Sequence, residues 1–82
     1  MKKKRDLSQQ TYKFPSNMNR VKEELQKQGR TQVWLAKKIG KSYVVVNNYC
    51  NNKAQMSIPI LFLMANALDI DVRDLLVPSK KK

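Results

Sequence analysis

From Met18 onward, apolar residues recur at helical rather than alternating spacing. Met18, Val21 and Leu25 share one face of a segment that stops at Gly29, which predicts a helix over Met18–Gln28. In "TQVWLAKKI", Thr31 is a good N-cap and Leu35, Ala36 and Ile39 form an apolar stripe. Gly40 follows, suited to the left-handed position that ends a helix. Ser57 caps a fourth segment, and its Pro59 is tolerated in the first turn, where the missing N–H has no intrahelical partner anyway. Asp71 caps a fifth, "DVRDLLV", with Asp74 placed as in a capping box, Ile70 able to staple to Leu75, and Pro78 as its end.

The third segment, "GKSYVVVNNYCNN" (residues 40–52), breaks the pattern. Three consecutive valines favour a strand, because β-branched side chains lose rotamer freedom in a helix. A strand over 43–49 would place Asn47 on the same face as Tyr43, Val45 and Tyr49, and it would have no partner strand. A helix from Tyr43 to Cys50, capped by Ser42, instead sends Val46, Tyr49 and Cys50 inward at i, i+3 and i+4. The valines then cost only a few tenths of a kcal/mol each in propensity. Val45 fits either the edge of the core or a contact with a partner. Two helices joined by a short turn at Gly40 make a helix-turn-helix, and a plain helical hairpin is the alternative. No hairpin signal is present, so the expected class is all-α with five helices.

Charge changes the picture. The 82 residues hold 17 Lys+Arg against 6 Asp+Glu, a net charge of +11. Such an excess suggests a polyanionic partner, nucleic acid or an acidic membrane surface. Its distribution says more than its total. No acid lies between Leu25 and Leu68, whereas Lys27, Arg30, Lys37, Lys38, Lys41 and Lys53 all do. Residues 1–17 read as a basic arm with little structure of its own, 18–78 as the folded domain and 79–82 as a basic tail. No apolar run is long enough for a membrane span, and the basic start lacks the apolar stretch of a secretory signal.

Catalytic chemistry has little to work with. The chain has no histidine and one cysteine, Cys50, which excludes an internal disulfide and leaves no plausible zinc site. Cys50 lies on the inward stripe and is expected to be inert, so neither an enzyme nor a cofactor is expected.

Residues 18–77 resemble the Cro/repressor-type (Xre) helix-turn-helix family. The likeness is carried by "TQVWLAKKIGKS", by "NNYCNNK" and by "SIPILFLMANALDIDVRDLL", in register and without a gap. It implies a compact five-helix, lambda-repressor-like domain and a bacterial or phage-type transcriptional regulator. This would bind operator double-stranded DNA as a homodimer in the cytoplasm, at the nucleoid, with no small-molecule ligand. Where the family favours glycine this chain has Asn52, the next best residue in a left-handed conformation. Met56 replaces a common proline. Leu25 and Cys50 replace a frequent Arg–Glu pair, so a packing contact is expected in its place.

On that resemblance the third helix enters the major groove and reads base edges with its outward N-terminal side chains. Tyr43, Val44 and Asn48 lead as base contacts, with Asn47 and Ser42 behind them. Asn48 could pair with adenine N6 and N7 and Val44 could pack on a thymine methyl, giving an A·T-containing half-site. Phosphate contacts are expected from Thr31 and Gln32 at the start of the second helix, from Lys41 in the turn, and from Asn51 and Lys53. The fourth segment carries more apolar residues than one face can bury. Ile60 and Leu63, with Leu76 and Val77, are therefore candidate homodimer contacts. A protein-binding module, such as an antitoxin or anti-regulator using the apolar fourth helix, is the competing function. RNA binding has less support, since no aromatic sheet platform or glycine-rich clamp is visible.

Overall fold

The computed structural model describes residues 14–79; residues 1–13 and 80–82, most of the expected arm and most of the tail, lie outside the described residues. Four α-helices follow one another: α1 (Val21–Gln28), α2 (Gln32–Ile39), α3 (Tyr43–Cys50) and α4 (Ile58–Leu68). A 3-10 turn, Val72–Leu75, closes the series. Among the described residues there is no extended strand, only an isolated antiparallel bridge between Asn19 and Leu76.

Local capping sets most of these boundaries. The hydroxyls of Thr31, Ser42 and Ser57 accept hydrogen bonds from the N–H groups of Trp34, Val45 and Ile60 at 3.0, 3.2 and 3.3 Å. Each satisfies one of the N–H donors left unpaired at a helix start. Gly29 and Gly40 end α1 and α2 with φ of 68° and 72°, in the left-handed region where a side chain would be strained. Asp69 ends α4 with φ 58°, a role that the sequence did not signal. Asn52 takes φ 61° in the loop after α3, at the position where the resemblance favours glycine.

Two expectations need correction. The fifth helix is a single 3-10 turn. Leu76 is already extended, and Val77 precedes Pro78, which disfavours helical backbone. The Asp71 carboxylate is gripped by Arg73, which donates from its backbone N at 2.8 Å, Nε at 3.0 Å and Nη2 at 3.1 Å. The first helix begins at Val21 rather than Met18. The residues before it pair with the chain's other end: Arg20 N–H donates to the Leu75 carbonyl at 2.8 Å, and Val77 N–H to that of Met18 at 3.1 Å. Asn19 is buried at the start of α1. Its Oδ1 accepts from Val21 N–H at 3.1 Å while its Nδ2 donates to the Tyr49 carbonyl at 3.0 Å, tying α1 to the end of α3.

The core joins all four helices and the closing turn: Val21 and Leu25 from α1, Leu35 and Ala36 from α2, and Val46 and Cys50 from α3. Leu61, Met64, Ala65 and Leu68 come from α4, and Leu75 from the closing turn. Leu25 and Cys50, where the family often pairs charges, are both buried in this cluster. Ile60, expected to be surplus, is half-buried and packs against the core. The apolar side chains that α4 does expose are Ile58, Phe62 and Leu63, while Leu76 is exposed beyond the turn and Val77 half-buried.

Candidate nucleic-acid interface

α2 and α3 pack against each other across a turn of three residues, Gly40 to Ser42. Gly40 turns the chain, and the Lys41 N–H donates back to the Ala36 carbonyl at 2.9 Å. Ser42 then starts α3 at once. Val46 and Cys50 are fully inside and Tyr49 packs on the core, so the rotation of α3 about its own axis is fixed. That rotation leaves Tyr43 (49% accessible) and Val44 (64%) on the outside at the helix N-terminus. Asn47, Asn48 and Val45 are half-buried beside them, and Val45 stands outside the core cluster.

Thr31, Lys41, Ser42, Asn51 and Lys53 are exposed and Gln32 is half-buried. The Asn48 carbonyl accepts from the N–H groups of Lys53 and Ala54 at 2.8 and 3.3 Å, which folds the loop bearing Lys53 against the end of α3. Asn52 stiffens the same loop by donating from Nδ2 to the Ser16 carbonyl at 2.7 Å and accepting from Gln55 at 3.2 Å.

A run of side-chain hydrogen bonds links several of these residues, and it was not legible in the sequence. Lys22 Nζ donates to Asn51 Oδ1 at 2.9 Å, and Asn51 Nδ2 donates to Asn47 Oδ1 at 3.1 Å. Asn47 Nδ2 donates to Gln32 Oε1 at 3.0 Å and, more weakly, to the Tyr43 hydroxyl at 3.4 Å. Asn47 and Asn51 are one helical turn apart, a clue that spacing alone provides. Nothing local announces that Lys22, 29 residues earlier, meets Asn51.

Charge is segregated as the sequence suggested. The ion pairs among the described residues, Arg20–Glu23, Lys27–Glu24 and Arg73–Asp71, all lie outside α2 and α3. Arg30 stacks on the Trp34 ring with its guanidinium carbon 4.1 Å from the centroid, holding a cation beside the start of α2. The Cys50 thiol is buried, and burial pushes its pKa up, against the opposing pull of the Lys22 charge. It therefore keeps its proton and is a poor nucleophile. Among the described residues no group of His, Cys, Asp and Glu could hold a metal ion, and no helix is long and apolar enough to cross a membrane.

The helix-turn-helix family model matches residues 21–75. Among solved structures, the chain is similar to a protein from Bacteroides fragilis provisionally described as DNA-binding. The two share 38% identity with a TM-score of 0.70, over 73% of this chain and 97% of that one. It is also similar to the restriction–modification controller protein C.AhdI from Aeromonas hydrophila, at 27% identity and TM-score 0.64, over 67% of this chain and 83% of that one. No curated protein matches significantly. With the family match running from the start of α1 through the closing turn, the chain belongs to the Cro/repressor-type (Xre) helix-turn-helix family of DNA-binding regulators.

Proposed function

We propose that this protein is a transcriptional regulator that binds operator double-stranded DNA sequence-specifically, with α3 lying in the major groove. One observation carries the reading. α3 is locked by Val46 and Cys50 so that Tyr43 and Val44 project from its N-terminal end, on a part of the chain without acids. A helix presented in this way fits the major groove, and its first turn reaches base edges. Tyr43, Val44 and Asn48 read bases, with Ser42 beside them. Ser42 Oγ already accepts from Val45, so its proton is the group it can offer. Thr31, Gln32, Lys41, Asn51 and Lys53 hold the flanking phosphates, which set register and affinity but carry no sequence information.

Exposed Ile58, Phe62 and Leu63 on α4 favour self-association, since a contiguous apolar surface marks an interaction. A dimer would address half-sites about 34 Å apart or a multiple of that. The controller protein from Aeromonas hydrophila supports a regulatory role of this kind. We place its action in the cytoplasm, at the nucleoid, and assign it no enzymatic activity. The same α4 surface also favours a second reading, a module that binds another protein.

Titration of duplex DNA at increasing salt separates the two readings. Neutralising two phosphates with Lys41 and Lys53 makes DNA binding weaken roughly tenfold between about 50 and 200 mM salt. Lys53→Ala lowers affinity for all sequences alike and reduces the salt slope by about 1. Affinity that is insensitive to salt contradicts the DNA reading.

A further inference from the structure

The hydrogen-bond run at α3 has a direction, and its direction follows from one residue. An ammonium group only donates. Lys22 Nζ therefore faces an oxygen of Asn51, Oδ1, at 2.9 Å, which turns the Asn51 Nδ2 away from it. Asn51 Nδ2 meets Asn47 Oδ1 at 3.1 Å, so Asn47 in turn points its Nδ2 onward, to Gln32 Oε1 at 3.0 Å. An amide's two ends are nearly the same shape, so an isolated Asn or Gln could sit either way round. Here the charge on α1 fixes all three.

We propose that Lys22, Asn51 and Asn47 form a polarised relay that sets Gln32 as a hydrogen-bond donor toward DNA. With Oε1 occupied by Asn47, Gln32 is left with its Nε2 protons, and a phosphate oxygen accepts only donors. The opposite orientation would bring oxygen against oxygen. Asn47 is then a positioning residue rather than a base reader: its oxygen is held by Asn51 and its nitrogen by Gln32. The bond to Tyr43, at 3.4 Å, is longer and weaker than the one to Gln32. Most of these bonds are exposed in the free protein, where each contributes little. A docked duplex would exclude water from them and strengthen the whole chain.

This inference rests on the DNA reading for its purpose but not for its existence, and the tests separate the two. In the free protein, side-chain amide NMR resonances of Asn51, Asn47 and Gln32 are compared between wild type, Lys22→Met and Lys27→Met. Lys27, on the same helix and paired with Glu24, supplies a control with the same loss of charge. The relay requires Lys22→Met to shift the amide signals as far as Gln32, while Lys27→Met leaves them in place. Unmoved Gln32 signals in Lys22→Met overturn it.

On a duplex that the wild type binds, Asn47→Ala is expected to lower affinity about three- to tenfold, the worth of one such hydrogen bond. The loss should be the same across base substitutions and should vanish in a Gln32→Ala background, as coupling through Gln32 demands. Losses that add, or a base preference relaxed by Asn47→Ala, overturn the positioning role. If the wild type binds no duplex, the DNA reading falls, and with it the role given to Gln32; the NMR comparison still decides whether the relay exists.

Discussion

α3 and α4 both leave large apolar side chains in water, yet their surroundings differ. On α3, Tyr43 and Val44 lie one turn before Asn47 and Asn48, with Asn47 hydrogen-bonded to Gln32 and the capping Asn51 to Lys22. On α4, Ile58, Phe62 and Leu63 stand with Asn66 as the one polar residue in the helix. A surface whose polar groups are already oriented loses little entropy when it meets a polar partner, and DNA is such a partner. A surface without them gains by meeting another apolar surface. The two helices thus differ in what they suit: α3 a polar partner, as the proposed DNA contact requires, and α4 an apolar one, as the proposed self-association requires.

The largest way to break the comparison is to remove what both surfaces rest on. Leu35 of α2 is fully buried, and α2 packs against both α3 and α4. Leu35→Ala should cost about 2–5 kcal/mol, a large part of the stability of so small a domain. Thermal melting by circular dichroism should show a clear drop, with DNA binding and self-association lost together.

A sharper division comes from two neighbours on α4. Ile60 packs on the core whereas Phe62 is 58% accessible. Phe62→Asp is expected to weaken self-association at least tenfold in sedimentation equilibrium, with a melting temperature within a few degrees of wild type. Ile60→Ala should lower the melting temperature instead. Self-association that survives Phe62→Asp unchanged would remove α4 from the dimer.

Effects of pH are smaller and come from opposite ends of the chain's titration. Burial raises the Cys50 pKa, so the folded state retains a proton that the unfolded state releases. That contribution is intact below the unfolded thiol value of about 8.5 and is lost as pH rises above it. Urea midpoints should fall more between neutral and alkaline pH for wild type than for Cys50→Ala. Asp71 goes the other way: its hydrogen bonds to Arg73 lower its pKa. Its contribution is present above the unfolded carboxylate value and is lost as pH falls through the folded one. Because both groups are exposed, Asp71→Asn should leave the neutral-pH melting curve almost unchanged.

Which features were legible in the sequence follows from how local they are. The caps at Thr31, Ser42 and Ser57 and the helix ends at Gly29 and Gly40 depend on neighbours within a few residues and lie where the pattern placed them. The left-handed Asn52, in contrast, was expected only from the family resemblance. The inward stripe of α3 followed from helical spacing. The start of α1 did not, because Met18 and Arg20 are held by Leu75 and Val77 at the far end of the chain. The same pairing, with Pro78, cuts the fifth helix to a single turn. Ile60 looked surplus because spacing gives the direction of a side chain but not the width of the core it meets. At the candidate interface, residue types and faces were visible, whereas the bonds from Lys22 through Asn51 to Gln32 needed three helices in place.

The central claim is that α3 reads sequence. Selection of bound sites from random duplex DNA, run in parallel on the wild type and Asn48→Ala, tests it most directly. The wild type should enrich A·T-containing half-sites spaced about 34 Å apart or a multiple of that. Asn48→Ala should relax preference at one position of each half-site, with the others kept. Enrichment of no sequence by the wild type, or an equal loss of preference at every position in Asn48→Ala, would contradict it.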